Sequence, residues 1–365
     1  MSNPVRAVFV MEQHVGHRTL YENLRAAVDA DSRLAVDWVE VTYTGSLTKV
    51  FGRIPFLGQV AARWTGVRQV RRGLAKSDAT VAFFATQVPA TLAGRFRRRR
   101  PYVLCTDITP RQYDDMGEHY GHRPDRFAPL RATKAAINRR VFVGAEHIVP
   151  WSSWVTDSLI ADYGVPIENI TVVPPGIDLQ SWNPRSDAHG SPVRVLFVGG
   201  HFERKGGDSL LAAFHALPAG AACLDIVTKS AGPTPVEGQV AVHRDLDPNS
   251  DELRRLFSAC DVFVMPTRAD AFGIVAIEAA ASGLPVIMSR VGGSGDIVVP
   301  GETGFLVDID DAAALTTALH DLVSDPDLRA GMALAARRRA ETHFDAMVNA
   351  SRIVDIVLDT LHNDG

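Results

Sequence analysis

Cysteine is scarce: the 365 residues hold three, Cys105, Cys223 and Cys260, none at C-x-x-C spacing. That excludes a disulfide framework, a zinc ribbon and a dithiol redox motif, and it fits a reducing compartment. Long apolar runs are missing as well. The best candidate, Ala271 to Met288, is interrupted by Glu278 and Pro285, so no membrane-spanning helix is expected. The opening MSNPVRAVFVMEQH has too short an apolar run for a signal peptide, and Glu12 ends it. The expectation is a cytoplasmic chain, with peripheral attachment at the inner face of a membrane left open. Low-complexity tracts and short repeats are absent too. With 46% hydrophobic and 22% charged residues, disordered and collagen-like classes are excluded. At about 150 residues per domain the length suggests two domains.

What is present is charge asymmetry. The net charge is -4, yet residues 1–180 hold 23 basic and 17 acidic residues, leaving +6, and residues 181–365 carry -10. Between Val41 and Arg100 there are twelve basic residues and one acid, Asp78. A basic front half can face an anionic surface, or can simply be solvated.

Apolar strands alternate with helical periodicity along the chain, which reads as an α/β protein with parallel sheets. The first run gives strands at Val5–Met11, Leu34–Val41, Ala79–Ala85, Tyr102–Thr106, His147–Pro150 and Ile170–Val173, and helices at His17–Ala30, Phe56–Lys76, Ala128–Val143 and Ser153–Tyr163. Ser152 and Ser153 suit the cap of the last helix. The segment PPGIDLQSWNPRSDAHGSP, Pro174 to Pro192, crowds proline, glycine, serine and aspartate and reads as a linker. A second α/β run follows, with strands from Val193–Val198 to Gly304–Val307, and the tail is helical over Asp327–Thr342 and Asp345–Leu361. Open parallel sheets bind ligands beyond the carboxyl ends of their strands, so the loops there are the places to search.

Two such loops carry chemistry. In RVLFVGGHFERKGGDSLLAAF an apolar strand ends at Gly199-Gly200, and Arg204-Lys205 precede Gly206-Gly207 and a helix. Glycines let backbone approach a ligand, and a helix amino end attracts anions. The spacing matches neither the ATPase phosphate loop nor the dinucleotide fingerprint. In PTRADAFGIVAIEAAASGLPVIMSRVGGSGDIV the strand ends in a loop holding Arg268 and Asp270. Gly273 then opens a helix through Ile274 and Val275, and Glu278 lies eight residues after Asp270. Free N–H groups of that helix can hold a diphosphate. A carboxylate set among apolar neighbours such as Ile277 and Ala279 needs a partner.

The second segment resembles the signature of the retaining, family-four glycosyltransferases (glycosyl transferases group 1), whose pattern runs roughly P-S-x-x-E-x-F-G-L-x-x-L-E-A-M-A-x-G-x-P-V-I, then V-G-G and G-x-T-G-x-L-V. Here PTRADAFGIVAIEAAASGLPVI, RVGG and GETGFLVD follow it, and Pro175-Gly176-Ile177-Asp178 is similar to the family's P-N-G-V-D. The resemblance implies the GT-B architecture, two Rossmann-like parallel-sheet domains facing across a cleft. It implies an acceptor-side domain over 1–176, completed by a tail helix of about 345–365. A linker over 177–191 and a nucleotide-sugar domain over 192–344 make up the rest. It implies a hexosyltransferase (EC 2.4) that moves a sugar from a UDP or GDP sugar to an acceptor hydroxyl with retention, without a cofactor or an essential metal.

Residue by residue, the resemblance gives Lys205 to the donor diphosphate, Glu278 to the ribose hydroxyls and Asp270 to the transferred sugar, where the family usually has glutamate. Phe272, Gly273 and Ile274, with Val275, match the turn that wraps sugar and phosphates. Gly16, in the loop after the first strand, matches a glycine that approaches the diphosphate, and Gly199 and Arg268 join the donor set. Gly200 stands where the family has arginine; Arg204 is the named substitute. Asp107 falls near a position where many members place a histidine beside the sugar. The acceptor candidates are Asp107, His14, His17, His119 and His122; DDMGEHYGHRPD is read as an acceptor loop rather than a metal site.

Partners expected are the donor, a small-molecule or lipid acceptor and an anionic membrane surface, with no nucleic acid. The membrane expectation rests on Gly58–Lys76, where Val60, Trp64, Val67 and Leu74 form an apolar stripe beside Arg68, Arg72 and Lys76, and on the run Arg95 to Arg100. Two other readings stay open: a sugar-nucleotide epimerase of the same architecture, and a non-catalytic binder of anionic surfaces.

Overall fold

The computed structural model describes residues 3–13, 15–45, 55–184, 192–230 and 232–361. The chain divides into two units: residues 1–117, 122–176 and 346–365 form the first, and residues 118–121 and 177–345 the second. The first holds five parallel strands, β1 Val5–Glu12, β2 Leu34–Val41, β3 Val81–Phe84, β4 Tyr102–Thr106 and β5 His147–Pro150, in the order β2-β1-β3-β4-β5. The second holds six, β6 Val193–Val198, β7 Ala222–Val227, β8 Val240–His243, β9 Val262–Met265, β10 Val286–Ser289 and β11 Gly304–Val307, in the order β11-β10-β9-β6-β7-β8. The inner strands read as unbroken apolar runs (VAFF, VFVM) because helices cover both faces of a parallel sheet, and every residue of β3 and β9 is buried.

The strand orders locate the places where ligands bind. In each sheet the chain runs out in one direction, returns, and continues on the other side of its starting strand. Such a reversal opens a crevice at the carboxyl ends. It falls between β1 and β3 in the first unit and between β6 and β9 in the second, where Val195 pairs with Val262.

One strand, three short helices and the face of one long helix differ from the sequence expectation. Ile170–Val173 is not a strand. Ile148 and Ile170 form an isolated bridge, and Thr171 N and Val173 N donate to Ile148 O and Pro150 O; Pro174 and Pro175 then supply no further donors. Short helices at Gln87–Ala93, Pro110–Asp115 and Ser294–Ile297 are too brief to show a 3.6-residue period. In the helix Pro55–Lys76 the buried line is Ala61, Val70 and Leu74, and Val60 and Trp64 are exposed, Trp64 by 61%. The apolar stripe therefore splits along its length: Leu74 is buried, Val67 is half-buried, and Val60 and Trp64 face solvent. Small residues set the facing side: a Cβ on Gly66 would meet the Tyr43 ring at 2.6 Å, and one on Gly73 would meet Val39 at 2.5 Å. Close approach to the edge of the sheet outweighs the bulk of the tryptophan.

The part of the linker segment that is described, up to Pro184, is packed. Trp182 is buried edge-on against Phe257, with centroids 5.0 Å apart, and Arg337 Nη1 donates to Trp182 O at 2.6 Å. The tail helix Ala346–Asp359 buries Ile353, Val354 and Val357 in the first unit, and Asn349 Nδ2 donates to Pro174 O at 3.2 Å. Its first turn lies on Gly176, where a Cβ would be 2.2 Å from Ala346 Cα and 2.7 Å from its N. Gly176→Ala is therefore expected to destabilise the protein by about 1–3 kcal/mol through overpacking. Gly200→Ala, with nothing within 4 Å of the added carbon, is expected to stay near wild type. Urea midpoints of the two variants check the contrast.

Candidate functional site

In the second unit, the loops after β6 and β9 meet at the crevice. Lys205 follows β6 and Asp270 follows β9, 65 residues later, and Lys205 Nζ contacts Asp270 Oδ2 in an ion pair that is largely shielded from solvent. Gly199 lets the lysine lie over the strand end: a Cβ there would be 2.9 Å from Lys205 Cβ and Cγ. Gly206 has φ +77°, and a Cβ on it would lie 1.9 Å from Pro266 O, so only glycine lets the two loops close. Backbone and side chain seal the join. Arg268 N donates to Arg204 O at 2.9 Å, Thr267 Oγ1 donates to the same carbonyl at 3.3 Å, and Arg204 Nη1 donates to Ala269 O at 2.7 Å.

Gly273 has φ +96° and caps the helix Ile274–Ala281 with no side-chain acceptor for the first N–H groups. A helix amino end without a cap is a positive, donor-rich terminus. Gly292 of RVGG, at φ +57°, packs on this turn, its missing Cβ 2.1 Å from Asp270 O, and Gly293 N donates to Ala271 O at 2.9 Å. Phe272 is buried in the core beside Phe344, so its ring shapes the turn from behind. Ile274 and Val275 are half-buried, and Gly200 is exposed.

Glu278 is 8% exposed. Among the described residues no hydrogen bond or ion pair reaches its side chain, so they do not supply the partner expected for a buried carboxylate. Burial pushes the carboxyl up to about 8, with Arg254 pulling the other way. Arg268 is fully engaged within the protein. Its Nη1 and Nη2 grip Asp208 Oδ1 and Oδ2 at 2.8 and 2.9 Å, and its Nε reaches Asp310 Oδ1 at 2.8 Å. The fork holds Asp208 below the usual carboxylate range. In this structure Arg268 braces the loop.

In the first unit, Gly16 lies in the first turn of the helix Val15–Asp29 and not in a loop. His17 Nε2 stands 3.6 Å from Asp107 Oδ2 and its ring lies 5.2 Å from that of Trp151. The structure thus joins two residues that the sequence named separately. His122 Nε2 is 2.7 Å from Asp114 Oδ1, while His119 is exposed. His14 lies outside the described residues. Among the described residues no group of three or more His, Cys, Asp or Glu is placed to hold a metal ion.

Sequence reasoning missed Glu12, Thr86 and Tyr43, which meet at the carboxyl end of β1: Thr86 Oγ1 donates to Glu12 Oε2 at 2.6 Å, and the Tyr43 hydroxyl donates to Oε1. The acid that closes the apolar run Ala7–Met11 is the available signal. Thr267, which ties the two loops of the second unit, carried none beyond its place after β9.

Comparison with known proteins follows the same division. A model of "Glycosyltransferase Family 4" matches residues 32–181, and one of "Glycosyl transferases group 1" matches residues 192–325. A GDP-mannose-dependent alpha-(1-6)-phosphatidylinositol monomannoside mannosyltransferase of Mycolicibacterium smegmatis is 27% identical over 323 residues, 80% of each chain. A D-inositol 3-phosphate glycosyltransferase of Pseudarthrobacter chlorophenolicus is 31% identical over 244 residues, 61% of this chain and 57% of that one. Among solved structures, sucrose-phosphate synthase from Thermosynechococcus elongatus aligns over 99% of this chain and all of its own, with a TM-score of 0.77 and 20% identity. Anabaena Alr3699/HepE in complex with UDP-glucose aligns over 97% and 99%, with a TM-score of 0.70 and 18% identity. Two parallel sheets in this topology, with the two matched models covering most of the sequence between them, make this chain a GT-B glycosyltransferase of family 4.

Proposed function

We propose that the chain takes a UDP or GDP sugar as donor and passes the sugar to a hydroxyl acceptor with retention of anomeric configuration. The observation that carries this reading is the Lys205–Asp270 pair beside the uncapped turn at Gly273. The pair keeps a cation and an acid in register until a donor replaces each with its own partner. Lys205 and the amino end of the Ile274–Ala281 helix receive the diphosphate, and Asp270 receives hydroxyls of the sugar. Arg204, with part of its fork on Ala269 O, adds a second charge. Glu278 binds the ribose hydroxyls. As the anomeric C–O bond breaks, negative charge grows on the departing phosphate. Preformed cations and N–H groups stabilise that charge more than the ground state. The acceptor oxygen bonds to the anomeric carbon on the face the phosphate leaves, and its proton passes to a phosphate oxygen.

The M. smegmatis relative is named for a lipid acceptor and GDP-mannose, which supports a lipid acceptor here and peripheral attachment to an anionic membrane. Leu57, Val60 and Trp64 are exposed along one ridge of the helix Pro55–Lys76, because residues three and four apart are neighbours on a helix. Arg63, Arg68, Arg71 and Arg72 are exposed on the same helix. Each basic residue near an anionic bilayer contributes about 1 kcal/mol.

Three outcomes are expected. Lys205→Ala lowers kcat/KM by about 10²- to 10³-fold, the size typical of removing one transition-state donor. The assay uses whichever UDP or GDP sugar most raises the melting temperature, and near-normal kinetics would remove Lys205 from the site. Glu278 ionises at about 8 when folded and at 4.5 when free, so its contribution to stability is complete below about pH 4.5 and is lost as pH rises through 8. The wild-type melting temperature should therefore fall relative to Glu278→Gln between pH 5 and 9; parallel curves would refute the buried neutral carboxyl. Trp64→Glu should cut sedimentation with phosphatidylglycerol vesicles several-fold at low salt. High salt should release the wild type, and failure of the wild type to sediment would point to a soluble acceptor.

A further inference from the structure

The first unit carries a second concentration of positive charge, at the starting ends of β4 and β5 and so at the opposite end of the sheet from Asp107 and His17. A cavity of about 530 Å³ opens there, lined by Arg97 to Arg100, Arg140, Tyr102 and Glu146 among others. Five guanidinium groups face one carboxylate. Among the described residues none of Arg97, Arg98, Arg99 and Arg100 makes an ion pair. Arg97 is fixed in place: Nη1 donates to Tyr102 Oη at 2.9 Å and to Arg140 O at 3.0 Å, and its Cζ lies 5.5 Å from the Tyr102 ring centroid. The Tyr102 hydroxyl in turn donates to Val141 O at 2.5 Å. Even so, Arg97 Nε and Arg100 Nη1 are buried with no acceptor. Buried donors seldom go unpaired, and like charges crowded together cost energy until an anion joins them.

We propose that this cavity binds a multiply charged phosphate, a diphosphate or a phosphorylated headgroup, separately from the transfer reaction. Planar guanidinium forks match phosphate oxygens in pairs, and the cavity is wide enough for more than one phosphate. Nucleic acid fits poorly because no ring is free to stack on a base. Tyr102 is buried, and Phe96 is covered by Arg95 at 5.6 Å and Arg99 at 5.1 Å. The same chemistry is offered by free pyrophosphate and by a lipid headgroup.

The test titrates inorganic pyrophosphate into the full chain by calorimetry, in a Lys205→Ala background that silences the proposed donor site. Arg98→Gln with Arg100→Gln removes two cavity charges, and among the described residues neither side chain makes a hydrogen bond or ion pair. Arg126→Gln with Arg131→Gln, both exposed, removes the same charge elsewhere. Parallel sedimentation uses phosphatidylcholine vesicles with phosphatidylinositol phosphate, against vesicles of equal charge made with phosphatidylglycerol. A loss of at least about tenfold in pyrophosphate affinity for the cavity pair alone, equivalent to 1.4 kcal/mol, supports the free anion. Tighter binding to the phosphoinositide vesicles than to the phosphatidylglycerol ones, with that excess lost in the cavity pair alone, supports the headgroup. Equal losses in both pairs, or no binding of either probe, overturns the proposal. Melting curves confirm that both pairs fold.

Discussion

The adjacency of β6 and β9 is the constraint on which the second unit's site depends. Lys205 and Asp270 are distant in sequence, and they meet because the chain leaves β6, builds β7 and β8 on one side, and returns to lay β9 against the other. The crevice so made is narrow at its base. Gly206 rests on Pro266 O at a distance no Cβ allows, and the backbone bond from Arg268 to Arg204 locks the loops in step. Arg268 extends the brace outward through Asp208 and Asp310. A site that must hold two opposite charges within touching distance thus gains its precision from backbone contacts, which do not change rotamer.

Two buried acids show how environment assigns different work to the same side chain. Glu12, at the end of β1, accepts hydrogen bonds from Thr86 and Tyr43, and burial, with Glu12 beside it, pushes the Tyr43 phenol up. Its carboxyl oxygens are provided with donors by the protein. Among the described residues Glu278 has no such donors, and burial pushes its carboxyl up to about 8. An acid whose solvation is left incomplete inside a protein is suited to a ligand that brings hydroxyl groups.

The α/β class and the family were legible because both depend on local pattern. Apolar runs of parallel strands are continuous, and the stretch PTRADAFGIVAIEAAASGLPVI holds its glycines, acids and small residues at fixed spacing. What the sequence hid was whatever depends on distant neighbours. Arg268 sits inside the motif, yet its direction is decided by Asp208 and Asp310 from other segments. The buried side of the helix Pro55–Lys76 is decided by what Gly66 and Gly73 approach, which hydrophobicity alone ranks below a tryptophan. The pairing of His17 with Asp107 needs the sheet order, since it joins the ends of β1 and β4. Ile170–Val173 has strand composition, but the prolines after it withhold the donors a ladder needs.

The tail helix Ala346–Asp359 supplies core to a unit whose other parts end at Gly176. During synthesis the first unit therefore waits with an uncovered apolar face while the whole second unit, Ile177 to Asp345, emerges and folds. Order of translation and order of completion are reversed: the half made first is finished last. A break in the chain before Ala346 would strip the helix Ala346–Asp359 from the core of the earlier half and leave the later half's own sheet intact. A break before Ala346 is thereby felt in a unit that the whole of the other separates from it in sequence.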